Sequence, residues 1–262
     1  MTAFHLYLFS TDEKMTRSAS CGGLSGIVID WENKNKAERQ ANKDTQINYD
    51  TADDLRRMSA LAGSAVICRV NKIRDIRESR REIDMALECG AGEILLPMVR
   101  TIDEVEDVLN CVAGRCGVGV MIETDEAVNL ARELGQLPLS RAYIGLNDLA
   151  IDRRKTNIFD SLEDGTIDYV REFIKAPFGF AGLTLPELGH PILCRLLISE
   201  MARLECSFTF LRRSFLRDVK DKDPSVEVRR IYKAVEEAFR SGDEEKTANR
   251  EDIKKIIKEH RL

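Results

Sequence analysis

Short apolar runs alternate with amphipathic stretches along the chain. Eight runs have strand length: His5–Ser10, Gly26–Trp31, Ala65–Asn71, Glu93–Val99, Val118–Thr124, Ala142–Gly145, Phe178–Leu185 and Ser207–Leu211. Between them apolar residues recur three and four apart, which predicts helices over Thr51–Ala62, Ser79–Cys89, Thr101–Ala113, Asp125–Leu134, Asp160–Lys175 and Pro191–Leu204. Thr101 followed by Glu104 has the form of a capping box, and Gly90, Gly114 and Gly135 stand where helices should stop. Strand-then-helix alternation implies parallel strands joined by helical crossovers. Eight such units fill the chain to about Arg240, so the expected fold is α/β, a (β/α)8 TIM barrel over residues 1–241, with a doubly wound open sheet as the alternative. Ser225–Arg240 is expected to be the last barrel helix. Residues 242–262 read as an appendage, a charged linker over Gly242–Asn249 and a C-terminal amphipathic helix over Arg250–Arg261, covering the barrel floor or reaching another subunit.

Charge and cysteine content narrow the picture. The net charge is −5 with both signs interspersed, which leaves no basic face for a phosphate backbone and argues against a nucleic-acid partner. No apolar run has membrane-spanning length and Met1–Ser10 lacks a leader pattern, so a cytoplasmic protein without membrane association is expected. Seven cysteines without any CxxC pair read as reduced thiols, and a zinc site on Cys111 and Cys116 would need two more ligands, with only His5, His190 and His260 to supply imidazole. The basic clusters Arg77–Arg81 and Arg153–Lys155 have acids beside them and read as solvated faces.

Functional side chains of a (β/α)8 barrel project from the C-terminal strand ends. Those ends carry Asp30 and Glu32, Arg69 and Asn71, Pro97 and Met98, Glu123, and the Gly145-Leu146-Asn147-Asp148 turn. Glu123 interrupts an apolar run, and an unpaired carboxylate there is costly, whereas Glu123 and Asp148 from neighbouring strands could share a hard cation, magnesium or manganese. The competing reading is a pair of carboxylates satisfied by backbone amides or arginines. Arg69 offers a guanidinium fork for a carboxylate or an enolate oxygen, or else a salt bridge to Glu93 or Glu32. Asp30 and Glu32 are candidate acid/base groups, or they orient Arg69. Pro97, Met98, Gly145, Leu146 and Asn147 are candidates for the substrate wall. His190 either faces the mouth or introduces a helix with Pro191 at its first position, and of the adjacent Arg212 and Arg213 at most one is expected to face the mouth.

Five segments, GIVIDWEN from Gly26, ICRVN from Ile67, GAGEILLPMV from Gly90, VGVMIETDEAVN from Val118 and YIGLNDLA from Tyr143, resemble the 4-hydroxy-2-oxoheptanedioate aldolase and citrate lyase β-subunit family of the phosphoenolpyruvate/pyruvate barrels. The resemblance implies that Glu123 and Asp148 hold magnesium or manganese and that Arg69 binds the oxo-acid end of the substrate. It also implies a homo-oligomer assembled through the last helix. The aldolases carry a histidine where this chain has Asn33, and Asp30-Trp31-Glu32-Asn33 is closer to the citrate lyase β-subunit pattern. The expected activity is a metal-dependent carbon–carbon lyase of the class II aldolase type, acting on a 2-oxo acid through an enolate. The alternatives are an acyl-coenzyme A lyase or thioesterase and a catalytically silent metabolite-binding barrel.

Overall fold

The structure, a computed structural model, describes residues 3–33, 50–62 and 66–260. The parallel strands are β1 (His5–Phe9), β2 (Gly26–Asp30), β3 (Val66–Arg69), β4 (Glu93–Leu96), β5 (Gly117–Ile122), β6 (Arg141–Ile144), β7 (Phe178–Phe180), β8 (Gly182–Leu183) and β9 (Phe208–Leu211). They run in the order β7-β6-β5-β4-β3-β2-β1-β9-β8, a nearly closed barrel with helices between the strands. The expected TIM-barrel class holds.

The predicted seventh strand is two short strands. Ala181 between them has a left-handed backbone, φ 51°, which turns β7 toward β6 and β8 toward β9. Across this break Ser207 N–H donates to Phe178 O at 2.9 Å and the Thr209 hydroxyl donates to Phe180 O and Ala181 O at 3.1 and 3.2 Å. A Cβ on Gly179 would lie 2.2 Å from Phe208 O, so only glycine lets the two strands approach here.

Every residue of β2, β3, β4 and β6 is buried, as expected for strands covered on one side by helices and on the other by the barrel interior. The interior is filled by Val28, Ile67, Leu95, Met121, Tyr143, Phe208 and Phe210. At its floor Arg141 grips Glu93 bidentately at 2.5 and 2.6 Å, donates to the Tyr7 hydroxyl at 3.1 Å and lies over the Tyr7 ring. Glu93 is therefore committed at the end of the barrel remote from Arg69, which removes it as the Arg69 partner.

Several boundaries differ from the expectation. The helix expected over Asp125–Leu134 is divided at Leu130 into α-helices Asp125–Asn129 and Ala131–Leu134. The one expected over Asp160–Lys175 is broken by Gly165, φ 86°, into Asp160–Glu163 and Thr166–Phe173. The helix expected from Pro191 begins at Cys194 and runs to Arg203. Arg153, read as a solvated residue, is 15% exposed and binds Asp125 and the Thr166 hydroxyl at 2.6 and 2.7 Å.

The expected linker is helical, because the last helix is Asp243–Glu259. Its sequence is polar since most of its circumference faces solvent, while Asp243, Glu244 and Glu245 suit the positive N-terminal end of the helix dipole. It packs on the helices Cys194–Arg203 and Asp160–Glu163 of its own barrel through buried Ile253 and Ile257 rather than across the floor. Arg250 holds Asp168 bidentately at 3.1 and 2.9 Å, and Asn249 reaches the Ser199 hydroxyl at 3.0 Å. No helix among the described residues is long and apolar enough to cross a membrane. Ile257→Ala is expected to cost about 2–5 kcal/mol, read as a lower urea midpoint; an unchanged midpoint would mean that this helix is not docked.

Candidate active site

The β2–β3 register places Asp30 directly opposite Arg69 at the C-terminal strand ends. Arg69 Nε and Nη2 donate to the two Asp30 carboxylate oxygens at 2.8 and 2.6 Å, and Nη1 lies 3.3 Å from Glu32 Oε2. All three side chains are buried, with the guanidinium 5.1 Å from the centre of the Phe9 ring. Burial alone would lower the Arg69 pKa, but the charges of Asp30 and Glu32 raise it well above its ordinary value. Of the two roles open to Asp30, orienting Arg69 is the one this geometry displays. Asp30 N–H also donates to Asp50 Oδ2 at 2.8 Å. Burial, opposed by that hydrogen bond and reinforced by the Asp30 and Asp54 charges, pushes the Asp50 carboxyl up to about 6.

Glu123 follows β5 and is 2% exposed. Its Oε2 accepts from Met98 N–H at 3.2 Å, and Met98 adopts φ 54°. On the other side, a Cβ on Gly145 would lie 2.4 Å from Glu123 Oε1, so a larger residue there would push this carboxylate aside. Burial, together with the negative charges of Asp148 and Glu32 and against the pull of Arg69, pushes Glu123 up to about 8. The next residue, Thr124, caps the helix Asp125–Asn129 by accepting from Ala127 N–H at 3.1 Å and donates its hydroxyl proton to Val99 O, which ties the β5 end to the loop after β4.

A cavity of about 370 Å³ opens at these strand ends. Its apolar wall includes Phe9, Met121, Tyr143 and Phe210, and its polar groups include Arg69, Asn147, Asp148, Arg212, Arg213 and Ser214. Gly145 and Leu146 line it as well. Pro97 and Met98 are buried but are not part of its lining; Met98 instead holds Glu123 through the backbone. Asp30, Glu32 and Glu123 likewise stand behind the lining. Burial raises the Tyr143 hydroxyl above its ordinary range despite a hydrogen bond with Thr209 and the nearby Arg212 charge.

Arg212 and Arg213 both line the cavity, contrary to the expectation that adjacent arginines diverge. Arg212 has an extended backbone and Arg213 begins the helix Arg213–Asp218, so the chain turns a corner between them and brings the two stems to one side. Asn33 belongs to a neighbouring hollow of about 460 Å³ with Asp50, Asn71 and Glu82. His190 is exposed, outside the cavity, with its ring 5.7 Å from that of His260. Among the described residues no group of three or more His, Cys, Asp or Glu side chains is placed to hold a metal ion by itself. A cation here would need waters or substrate oxygens beside Glu123 and Asp148.

A family model described as HpcH/HpaI aldolase/citrate lyase matches residues 3–163, which includes Arg69, Glu123 and Asp148. Similar solved structures include an HpcH/HpaI aldolase/citrate lyase family protein from Burkholderia cenocepacia J2315, with 13% identity, 90% of this chain and 95% of that chain covered, and a TM-score of 0.59. A citrate lyase from Burkholderia xenovorans LB400 aligns with 14% identity, 99% and 83% coverage, and a TM-score of 0.60. RipC from Yersinia pestis aligns with 16% identity, 92% and 97% coverage, and a TM-score of 0.56. No curated protein sequence matches the chain. At these identities the structural likeness shows the fold alone, whereas the family match spans more than half of the chain and includes the strand ends that carry Asp30, Arg69, Glu123 and Asp148. By that match, the chain belongs to the HpcH/HpaI aldolase/citrate lyase family.

Proposed function

We propose that this protein is a divalent-metal-dependent carbon–carbon lyase that cleaves or forms a bond next to a 2-oxo acid through an enolate. The family makes a lyase the class of activity. The observation that carries the finer reading is the buried Glu123 carboxylate, driven up to about 8 among the charges of Asp148 and Glu32 while Arg69 is already engaged by Asp30.

The donor set fits a hard divalent cation. Glu123 and Asp148 supply carboxylate oxygens, the missing Cβ at Gly145 lets the Glu123 carboxylate lie against that backbone, and a cation would relieve the cost that burial and the charges of Asp148 and Glu32 place on a bare Glu123 carboxylate. Magnesium or manganese bound there would supply Lewis acidity to the oxygens of a 2-oxo acid. Arg69, kept rigid by the Asp30 fork, binds the substrate carboxylate and favours the charge that gathers on the enolate oxygen. The wall of Phe9, Met121, Tyr143 and Phe210 keeps water from this charge, so the guanidinium acts at low dielectric. Asn33 stands where the aldolases have a histidine, and an amide has no basic site near neutral pH. Proton transfer therefore falls to a carboxylate of the mouth or to water.

A second reading, an acyl-coenzyme A lyase or thioesterase, is favoured by Asp30-Trp31-Glu32-Asn33. Saturable calorimetric binding of acetyl-coenzyme A would promote it, and indifference to the thioester would remove it.

Two outcomes test the lyase reading. Glu123→Gln is expected to weaken manganese binding by about a hundredfold or more, beyond what the loss of an outer partner costs, and to abolish manganese-dependent adducts of pyruvate with short aldehydes; undiminished metal uptake would contradict the reading. Gly145→Ala drives a methyl group into the Glu123 carboxylate and is expected to lower manganese affinity by about tenfold or more with the circular dichroism spectrum retained, whereas unchanged affinity would show that this carboxylate is not a ligand.

A further inference from the structure

Asp148 stands in the first turn of the helix Leu146–Asp152 and Asp152 closes that helix, four residues on and therefore on the same face. Asp148 lines the cavity, and Asp152 does not. The half-buried Asp152 carboxylate is instead held from two directions: Oδ1 accepts from Arg100 Nη2 at 2.6 Å and Oδ2 accepts from Asp125 N–H at 2.9 Å. Arg100 lies in the loop after β4 and Asp125 begins the helix after β5, so one carboxylate joins the chain beyond three successive strands. Each of the three connections carries a part of the proposed metal mouth. Two residues before Arg100, Met98 N–H holds Glu123 Oε2; two residues before Asp125 stands Glu123 itself; one turn before Asp152 stands Asp148.

The groups that hold Asp152 are themselves anchored. Arg100 N–H donates to Glu104 Oε2 at 2.7 Å and its Nη1 donates to Glu126 Oε2 at 2.5 Å, while Arg153 Nε, next to Asp152 in sequence, donates to Asp125 Oδ1 at 2.6 Å. The Thr124 hydroxyl on Val99 O closes the connection between the same two loops. Arg100, Asp125 and Glu126 keep much of their hydration, and ion pairs among such groups add little stability. Their effect is on geometry. A carboxylate held by a guanidinium of one loop and a backbone amide of the next cannot shift without moving both, so the end of β5 and the helix after β6 keep one spacing.

We infer that Asp152 is a positioning residue that sets the separation of the Glu123 and Asp148 carboxylates without itself touching a ligand in the cavity. The inference rests on the lyase reading only where its consequence is read on a cation. Magnesium demands oxygens at about 2.0–2.1 Å in a near-ideal octahedron, whereas calcium accepts about 2.3–2.6 Å and an irregular shell. A pair of carboxylates that has lost its fixed spacing therefore loses the smaller ion first.

The test is electron paramagnetic resonance of the full chain titrated with manganese, followed by displacement of the bound manganese with magnesium and with calcium. Asp152→Ala is expected to weaken manganese and magnesium binding by about ten- to a hundredfold and calcium binding by about threefold or less, so that the preference for the smaller ions shrinks. Asp152→Asn keeps one acceptor oxygen but no charge for Arg100. It should fall between Asp152→Ala and the unmodified protein, and it carries the comparison if the alanine variant fails to fold. Glu227→Gln controls for lost stability, because it breaks the contact with Arg230 at 2.6 Å on the helix Pro224–Arg240, outside the cavity lining. It should lower the melting temperature and leave the magnesium-to-calcium preference as it is. A preference unchanged in the Asp152 variants, or changed equally in Glu227→Gln, overturns the inference. Should the unmodified protein take up no manganese, the metal reading fails separately, and metal-free crystal structures of the unmodified protein and Asp152→Asn then judge the positioning role. A shift of the Glu123 and Asp148 carboxyl carbons relative to each other by about 1 Å or more supports it, and an unchanged separation overturns it.

Discussion

A carboxylate buried at the C-terminal end of an apolar strand must either give up its charge or be given a cation, and Glu123 is held to that choice by the backbone around it. Met98 N–H fixes one oxygen, Gly145 leaves space against the other, and Asp148 and Glu32 add negative charge nearby. The Arg69 charge opposes this, but its Nε and Nη2 are engaged by Asp30. The left-handed backbone of Met98 and the glycine at 145 hold this carboxylate in place at the strand end.

The Asp30–Arg69 fork is the second constraint. Opposed positions on β2 and β3 give it a fixed geometry, and burial makes each partner depend on the other. A guanidinium so held is oriented before any ligand arrives, which reduces the ordering cost of binding. The acids concentrate on the strand ends from β2 to β6, while Arg212 and Arg213 stand at the end of β9. A ligand in this cavity meets a polar and charge-asymmetric mouth over an aromatic interior, a pattern suited to a compact anion rather than to an apolar molecule.

Much of this was legible in the sequence, for physical reasons that can be named. Strands fully buried on both faces read as continuous apolar runs, and the Thr101 capping box forms as its spacing predicts. Glu123, Asp148 and Arg69 stood out because charge at the end of such a run has a cost that side-chain type alone reveals. The break at Ala181 was not legible, since alanine carries no mark of a left-handed backbone and the need for it arises from barrel closure. The helix over Asp243–Glu259 was cut short because its first turns are acidic and its buried stripe rests on Ile253 and Ile257. Asp50 escaped notice because no apolar run of strand length ends at it in the sequence, although it binds the end of β2, and the common facing of Arg212 and Arg213 depends on a strand-to-helix corner that residue spacing does not display.

Whether a cation sits between the Glu123 and Asp148 carboxylates is a question of position, which diffraction resolves. Crystals grown with manganese and oxalate, measured at the manganese absorption edge, should give one anomalous peak bonded to an oxygen of Glu123 and an oxygen of Asp148, with oxalate on the peak and turned toward Arg69. A fully occupied oxalate site without that peak, or a peak bound by neither carboxylate, would contradict the account.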